Sequence, residues 1–306
     1  MVAEISVSFA GLKFSNPFQA ASGVLGASAS LMIGAFSAGA GCVVSKSVGL
    51  ASREGFCGPN VVVENDYVIN AMGLPNPGVD EMIKEIEEAR NAGVRVIGSV
   101  YGFSPEEYTL AAERLASSGV EAVELNLSCP TVRGTGLEIG QTPELVRNVV
   151  EAVKSRVKKP VIAKLTPNVT DIVEVGKAAV DAGADALTAI NTLRGMAIDA
   201  DAMRPILSTG IGGVSGPAVK PVAVRCVYEL YASLDVPVIG CGGVVDANDA
   251  VEFFLAGASA VQVGTGILYQ DLGIFKKLND GIRAYLKKKD VADLTSLIGK
   301  AHRSRS

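Results

Sequence analysis

The sequence predicts an α/β protein, namely a (β/α)8 TIM barrel with small inserted β-hairpins. Eight short apolar runs alternate with helical patterns along the 306 residues. The segments SSGVEAVEL, DAGADALTA and LAGASAVQV repeat one order, in which a helix end is followed by glycine and then by a strand. No linker or low-complexity stretch interrupts the chain, so we expect one domain over residues 1–306. An open doubly wound sheet is the alternative arrangement of the same units.

The predicted strands are short and mainly apolar, as parallel strands buried on both faces require. They cover residues 18–22, 42–46, 94–99, 121–126, 161–165, 185–191, 236–241 and 260–264. Several predicted helices begin at Ser, Thr or Asp and end at Gly, which is typical of helix caps. They cover residues 79–93, 104–119, 142–157, 170–183, 216–234 and 246–257. Two hairpins are also predicted, one over residues 5–14 that closes the bottom of the barrel and one over 61–70 after the second strand.

The composition excludes several classes of function. A net charge of −4 gives no basic field for nucleic acid or an anionic membrane. Five cysteines without a CxxC pair disfavour a disulfide framework or a zinc site, and favour a reducing cytoplasm. The single histidine, His302, lies in a polar tail where we expect fraying, which disfavours a serine–histidine relay. Polar residues and glycines interrupt the uncharged stretch 14–45, so no membrane span is expected, and no signal peptide is indicated.

Glycine-rich segments occupy the last third of the barrel pattern, at residues 210–219, 241–250 and 264–268. Glycine lets backbone N–H groups approach an anion, and barrels often bind phosphate in the loops after strands 7 and 8. The alternative is that these glycines only form tight turns. The first strand is not followed by GxGxxG, which disfavours a Rossmann dinucleotide site. The pattern therefore predicts a phosphate site of another kind.

Lys164 lies within the apolar run VIAKL, where a predicted strand ends. A lysine in such a place is costly unless it has a negative partner. The N1–C2=O edge of a reduced flavin is one such partner, and FMN would also place its phosphate on the glycine-rich segments. A structural ion pair within the protein is the alternative.

Cys129 lies in the stretch NLSCP, directly after the predicted strand EAVELN. A cysteine at a strand end could fill a gap in the core, hold a metal, attack a carbon or accept a proton. The following residues, 131–140, are rich in glycine and predict a loop that could cover a site. The residue and its position alone leave these roles open.

Motifs spread over nearly the whole chain resemble those of the dihydroorotate dehydrogenases of class 1. They are NPFQAASG, SKSVGL, NAMGLPNPG, ELNLSCP, KLTPNVTDI, INTLRGMAID, GGVSGPAVKPVA, PVIGCGGV and QVGTGIL, in family order. The arginine in INTLRGMAID matches the motif of class 1B, so the chain resembles the catalytic subunit of that form most closely. The resemblance implies oxidation of (S)-dihydroorotate to orotate in de novo pyrimidine (UMP) biosynthesis, in the cytoplasm, with one FMN per chain. It also implies that Cys129 takes the C5 proton while hydride passes from C6 to N5 of FMN.

The resemblance assigns site residues position by position. The residues that match FMN-binding positions are Ser22, Lys46, Ser47, Asn126, Lys164, Ile190, Gly216, Gly242, Gly243, Gly264 and Thr265. Those that match substrate-binding positions are Lys46, Asn70, Ala71, Met72, Gly73, Leu74, Asn126, Asn191 and Thr192. Amide side chains suit a planar ring with amide edges, because each both donates and accepts hydrogen bonds. No metal site is implied on this chain.

The resemblance further implies a partner. Electrons would leave through an electron-transfer subunit that carries FAD and a 2Fe-2S cluster and passes them to NAD, within a heterotetramer built on a homodimeric catalytic core. Two positions depart from the family pattern. Ser99 stands where an asparagine near the flavin is common, and residues 57–60 replace a more proline-rich stretch.

Three other functions fit parts of the pattern. A dihydropyrimidine (dihydrouracil) dehydrogenase-like flavoenzyme shares the NLSCP-like and KLTPNVTDI-like stretches, and its substrate lacks the carboxylate of dihydroorotate. A non-redox phosphate-binding barrel enzyme would use Lys164 for a Schiff base or for its charge. A non-catalytic scaffold for another subunit is the third alternative, and only the polar strand ends argue against it.

Overall fold

A computed structural model describes residues 4–127 and 136–305. Its strands are, in chain order, β1 (Val7–Phe9), β2 (Leu12–Phe14), β3 (Phe18–Ala20), β4 (Cys42–Val44), β5 (Val61–Val63), β6 (Val68–Asn70), β7 (Val96–Val100), β8 (Val123–Asn126), β9 (Val161–Lys164), β10 (Ala186–Ala189), β11 (Leu193–Gly195), β12 (Ile198–Asp199), β13 (Arg204–Pro205), β14 (Gly212–Ser215), β15 (Val238–Cys241) and β16 (Ala258–Val263). The α-helices are α1 (Ala29–Ser37), α2 (Val79–Asn91), α3 (Pro105–Ser117), α4 (Gly136–Gln141), α5 (Pro143–Arg156), α6 (Ile172–Asp181), α7 (Lys220–Ser233), α8 (Ala247–Ala256), α9 (Gly266–Gln270) and α10 (Ile274–Lys288).

Eight parallel strands form a closed barrel in the order β3, β4, β7, β8, β9, β10, β15 and β16. The closing pair joins β16 to β3, with Val261 opposite Phe18 and Val263 opposite Ala20. The (β/α)8 barrel and all eight predicted strands are therefore confirmed, and the open doubly wound sheet is wrong. One continuous apolar core surrounds the barrel, with residues such as Phe253 and Phe254 of α8 fully buried beneath it.

The repeated glycines in the sequence have the local role that the pattern predicted. Gly119, Gly183 and Gly257 all adopt positive φ, at +81°, +98° and +120°, each just after a helix and before a barrel strand. An L-residue is strained in this region of φ, so glycine ends the helix and lets the chain turn into the next strand. At Gly257 a Cβ atom would lie 2.1 Å from Cγ of Tyr231, so the close approach to α7 also requires glycine.

Both predicted hairpins are present, and the second belongs to a larger sheet. Strands β1 and β2 pair antiparallel at residues 7–14. Strands β5 and β6 pair with each other and with β14 and β11, giving a four-stranded sheet in the order β11, β14, β6, β5. The expectation of a glycine-rich loop over residues 210–219 is thus wrong for Gly212–Ser215, which form β14. Glycine without a side chain permits this close pairing, since a Cβ at Gly212 would lie 2.7 Å from the carbonyl oxygen of Asn70.

The predicted helices are confirmed. Helices α9 and α10 were not predicted, although α10 buries Ile274, Leu278 and Ile282 at helical spacing. Residues 136–141 form α4, which corrects the expected loop over 131–140, while residues 128–135 lie outside the described part of the chain. None of the described helices has the length and apolar character needed to cross a bilayer.

Lys300–Arg305 of the C-terminal tail form a 3-10 helix, contrary to the expected fraying. The imidazole of His302 stacks on Tyr228 with 3.7 Å between ring centroids, and its Nε2 lies 3.0 Å from the carbonyl oxygen of Ala256. The tail therefore packs on α7 and the end of α8. His302 does not line the cavity described below.

Candidate active site

A cavity of about 650 Å³ opens at the carboxyl ends of the barrel strands and extends under the four-stranded sheet. It suits a ligand of nucleotide size. Its lining includes these residues singled out in the sequence: Ser22, Lys46, Ser47, Asn70, Met72, Gly73, Leu74, Asn126, Lys164, Ile190, Asn191, Thr192, Gly242, Gly243, Gly264 and Thr265. Residues from eight separate chain segments thus meet in one place. Seven of these segments lie at the ends of barrel strands, which all point to the same face, and the eighth, residues 70–74, follows β6.

Two predicted residues do not line the cavity. The side chain of Ala71 is fully buried in a small apolar cluster with Val62, Ile69 and Leu207, none of which lines the cavity. Gly216 lies behind Gly243, whose added Cβ would be 3.0 Å from the Gly216 carbonyl oxygen. Cys129, the predicted base, lies outside the described residues, and Leu127 is the last described residue before it.

Serine and asparagine side chains form a chain of hydrogen bonds along one wall. Ser22 Oγ lies 3.1 Å from Ser47 Oγ, which also accepts a hydrogen bond from Asn126 Nδ2 at 3.1 Å. Asn126 Oδ1 in turn accepts one from Asn191 Nδ2 at 3.3 Å. Because each amide is fixed by its neighbour, the wall presents donors and acceptors in set orientations to a polar planar ligand.

Ser99, which departs from the family pattern, supports this wall from behind. It is fully buried, and its hydroxyl lies 2.8 Å from Ser47 Oγ. Its backbone N–H donates to Ser45 Oγ at 2.9 Å. A serine at this position therefore orients Ser47 and does not itself line the cavity.

Below the cavity, Lys164 takes part in a buried polar network inside the barrel. Its Nζ donates to Gln262 Oε1 at 3.0 Å and lies 3.7 Å from Glu124 Oε1. The other carboxylate oxygen of Glu124 accepts hydrogen bonds from Gln262 Nε2 at 2.7 Å and Thr188 Oγ1 at 2.9 Å. The structural ion pair weighed as an alternative for Lys164 is thus present, yet the amine also lines the cavity floor.

The electrostatics keep Lys164 charged. Burial by itself lowers the pKa of a lysine, but the Glu124 carboxylate outweighs it, so the pKa of Lys164 is raised above its usual value. Cys241, at the end of β15, lies near the same amine. Burial raises the pKa of the Cys241 thiol, which is therefore neutral near pH 7. The cavity floor presents a fixed cation.

Glycines after β15 and β16 form the opposite end of the cavity. Gly242 and Gly243 have φ of +135° and +76°, and a Cβ on Gly243 would lie 2.9 Å from the backbone nitrogen of Lys220. Gly264 follows β16 and is open to the cavity. Backbone in this conformation, without side chains, can bring N–H groups close to a phosphate. The residues therefore fit FMN, with the phosphate on the glycines and the ring near Lys164.

The segment 70–74 is held over the cavity by the loop before it. Arg53 Nε donates to the carbonyl oxygen of Gly73 at 2.7 Å, and the backbone N–H of Phe56 donates to that of Met72 at 2.9 Å. Leu74 adopts a positive φ of 59°, which is unusual for a branched residue and marks a constrained turn. The side chains of Asn70, Met72 and Leu74 are thereby directed to the cavity.

Sequence reasoning missed the network under Lys164. Glu124, Gln262, Gln19 and Thr188 are each at most 2% exposed and come from four different barrel strands. A signal was present, because all four interrupt short apolar runs that otherwise read as fully buried strands. A buried polar side chain in such a run requires a partner across the barrel.

The family model for dihydroorotate dehydrogenase matches residues 4–286 of this chain. The chain belongs to the dihydroorotate dehydrogenase family. Among curated relatives, the catalytic subunits of dihydroorotate dehydrogenase B (NAD(+)) of Methanocaldococcus jannaschii and Methanocella arvoryzae are 47% and 49% identical to it. These alignments cover 97% and 98% of this chain and 98% of each relative. The resemblance seen in the sequence is confirmed.

A solved member of the family has the same fold. The crystal structure of DHODH in complex with ferulenol from Eimeria tenella superposes with a TM-score of 0.86, over 98% of this chain and 89% of that one. The sequences are 21% identical, so this likeness concerns the fold alone. It matches the closed barrel described above.

Gly26 provides a test of how the loop after β3 shapes the site. A Cβ at Gly26 would lie 2.3 Å from the carbonyl oxygen of Val44 and 2.6 Å from the backbone nitrogen of Lys46. Backbone cannot move aside as a side chain can, so Gly26→Ala is expected to displace Lys46 and cost about 1–3 kcal/mol of stability. Urea unfolding and flavin content of the purified variant measure both effects.

Gly34→Ala is the matched control for this substitution. Gly34 lies inside α1, and an added Cβ would meet only Leu272 Cδ1 at 3.7 Å, an ordinary contact. Alanine in a helix interior should stabilise the protein by about 0.5–1 kcal/mol relative to glycine. Equal stability and flavin content in the two variants would show that Gly26 does not shape the cavity.

Proposed function

We propose that this protein oxidises (S)-dihydroorotate to orotate in de novo pyrimidine biosynthesis, with FMN bound in the cavity at the top of the barrel. The observation that carries the proposal is the meeting of three features in one cavity of about 650 Å³: a buried lysine, a glycine-lined end and a wall of amide and hydroxyl groups. The lysine suits the flavin ring, the glycines suit its phosphate, and the amide and hydroxyl groups suit the substrate. Membership of the dihydroorotate dehydrogenase family supports the same reaction.

The cofactor assignment rests on the two ends of the cavity. Lys164 would hold the flavin ring by its charge, and Gly242, Gly243 and Gly264 would hold the phosphate through backbone N–H groups. Bound FMN supplies the hydride acceptor, which no side chain of the protein provides. Ser22, Lys46, Ser47, Asn126, Ile190 and Thr265 line the space between these ends, and Gly216 contributes from behind Gly243.

The substrate assignment rests on the side of the cavity under the four-stranded sheet. Asn70, Asn126 and Asn191, with Thr192, would hydrogen-bond to the amide edges of dihydroorotate. Lys46 and the backbone of residues 71–74 would receive its carboxylate, since a cation and backbone N–H groups favour an anion there. The Ala71 N–H already donates to the carbonyl oxygen of Asn60 at 2.8 Å, so the N–H groups of residues 72–74 are the donors proposed for the carboxylate. These contacts fix the ring so that the protons at C5 and C6 point in set directions.

Cys129 is proposed as the base that takes the C5 proton. It follows Asn126 and Leu127, and the Asn126 side chain already faces the cavity from the end of β8. The thiolate is the basic form, so the rate should increase with pH as the thiol ionises. This acid–base dependence is a direct signature of the assignment.

The electrons are proposed to leave through a second polypeptide. The curated relatives are named as catalytic subunits of an NAD(+) enzyme, which supports a partner subunit and NAD as the acceptor. That this partner carries FAD and a 2Fe-2S cluster is part of the proposal. The core is proposed to be a homodimer within a heterotetramer. Light scattering of the purified pair tests this stoichiometry, and monomeric catalytic chains would contradict it.

The test of the reaction is an anaerobic absorbance spectrum before and after addition of dihydroorotate. A flavin band that bleaches with dihydroorotate but not with dihydrouracil supports the cofactor, the substrate and the half-reaction together. Bleaching by dihydrouracil alone would assign the protein to dihydropyrimidine oxidation. A colourless protein that takes up no FMN on incubation would leave the cavity to a different phosphate ligand and contradict the proposal.

A further inference from the structure

The buried network below the cavity contains one carboxylate, Glu124, at the centre of the barrel. It is completely inaccessible to solvent, which is costly for a charge unless the charge is paired and hydrogen-bonded. Two hydrogen bonds, from Gln262 and Thr188, go to a single oxygen, Oε2. The other oxygen, Oε1, accepts no hydrogen bond from the described residues and faces Lys164 Nζ at 3.7 Å.

This arrangement fixes both the position and the charge of Lys164. Gln262 bridges the pair, because its amide donates to Glu124 and its carbonyl oxygen accepts from Lys164 at 3.0 Å. Among the described contacts, Gln262 and Glu124 hold the lysine inside the barrel, and the lysine lines the cavity. Glu124 does not itself line the cavity, so its charge acts there through Lys164, and Gln262, which also lines the cavity, bridges the pair.

We propose that Glu124 is a positioning residue of the flavin site, which holds the Lys164 ammonium at the cavity floor as a permanently charged partner for the reduced flavin ring. The proposal rests on the proposed function, since it concerns the same cofactor. It assigns to Glu124 a role that differs from structural support: without the carboxylate, Lys164 should exchange its proton during flavin reduction.

The reason is that two opposite effects set the pKa of Lys164. Burial lowers the pKa of this lysine and the Glu124 carboxylate raises it. Among the described residues, the other titratable groups to consider are Cys241, a neutral thiol near pH 7 whose ionisation would raise the pKa of Lys164, and Lys46, a cation that lines the same cavity. Cys129 lies outside the described residues. Neither Cys241 nor Lys46 can replace the carboxylate, so in Glu124→Gln the effect of burial should prevail, and the pKa of Lys164 should fall.

The expected result concerns the pH dependence of the flavin midpoint potential. In the parent protein Lys164 stays protonated in both redox states, so it adds no proton to the reaction. In Glu124→Gln the negative charge of the reduced ring would draw a proton onto a neutral Lys164, and the potential should fall more steeply with rising pH. One further proton is a tenfold change in the equilibrium constant per pH unit, which is about 30 mV for a two-electron couple.

Thr188→Val is the matched control, because it removes one hydrogen bond to the same carboxylate and leaves both charges in place. It should keep the parental slope of the midpoint potential against pH. The double variant Glu124→Gln/Lys164→Gln should also keep that slope, because it has no lysine that could take up a proton. Where Glu124→Gln does not fold, Glu124→Asp can replace it. Its carboxylate lies farther from the Lys164 amine, so the midpoint potential should depend on pH more steeply than in the parent.

Anaerobic reductive titrations of these variants between pH 6 and 10 distinguish the outcomes, because this range lies below the ordinary lysine pKa of about 10.4 and covers a lowered one. A parental slope in Glu124→Gln, or in Glu124→Asp where that variant is used, contradicts the role of Glu124. A steepened slope in Thr188→Val would assign the effect to packing and also contradict it. A parent protein that binds no FMN contradicts the proposed function and this inference together.

Discussion

Cys129→Ser is expected to bind FMN as the parent does and to lose about 10²–10⁴-fold in the rate of flavin reduction by dihydroorotate near neutral pH. A serine hydroxyl ionises far less readily than a thiol, so it is a much weaker base in this range. Stopped-flow reduction under anaerobic conditions measures the rate directly. The loss should shrink as the pH is raised, because hydroxide and the hydroxyl group then compete better.

Cys57→Ser is the control for this substitution. Cys57 is an exposed free thiol, and only its backbone carbonyl oxygen takes part in a described hydrogen bond, from Ser208 Oγ at 2.7 Å. Its replacement should change neither flavin content nor rate. If Cys129→Ser and Cys57→Ser reduce flavin at the same rate, Cys129 is not the base.

Lys164→Met is expected to lose flavin and to destabilise the protein at the same time. The Glu124 carboxylate, 0% exposed, would be left in the barrel without its counterion, which costs about 3–5 kcal/mol for a buried pair. Urea unfolding of the flavin-free protein gives the stability, and the absorbance of the purified protein gives the flavin content. Since the pKa of Lys164 is raised in the folded protein, the contribution of the lysine is present at neutral pH and is lost only as the pH rises through this raised value.

The double variant Glu124→Gln/Lys164→Met separates the two effects. It removes both charges while a glutamine can still accept from Gln262 and Thr188, so most of the lost stability should return. Flavin binding should not return, because no cation remains at the cavity floor. A double variant as unstable as Lys164→Met would show that packing of the lysine, and not the buried charge, sets the stability.

Two buried cysteines, Cys42 of β4 and Cys226 of α7, are expected to be inert by comparison. Burial raises the pKa of Cys226 to about 11, and that of Cys42 further. Thiols in this state are poor nucleophiles and poor bases near neutral pH. Selective alkylation should therefore distinguish them from Cys57, which is exposed.

Much of the fold follows from local features of the sequence. The glycines at 119, 183 and 257 determine where helices end, and the apolar runs between glycine and polar residues determine the strands. The strand ends also place Ser22, Lys46, Asn126 and Asn191 in one ring, because a parallel barrel brings all carboxyl ends to one face. The family resemblance then gave each of these residues a role.

Other features depend on contacts between distant parts of the chain. Glu124 and Gln262 are 138 residues apart, and nothing in either strand indicates that they share a hydrogen bond until the barrel closes. Likewise, β14 pairs with β6 far along the chain, with Val214 opposite Ile69, so that a glycine-rich stretch becomes a strand. Ala71 faces away from the cavity, because this pairing directs its side chain into the apolar cluster with Val62, Ile69 and Leu207.

The sequence by itself therefore determined the barrel, the face that carries the site and the chemical types of its residues, because periodicity, glycine position and strand ends are local properties. Only the tertiary structure decided that Lys164 is charged and held by Glu124, that Ser99 supports Ser47, and that Gly216 lies behind Gly243. These are properties of side chains that meet across the barrel, where burial and the partner's charge, rather than the residue's own type, set its state.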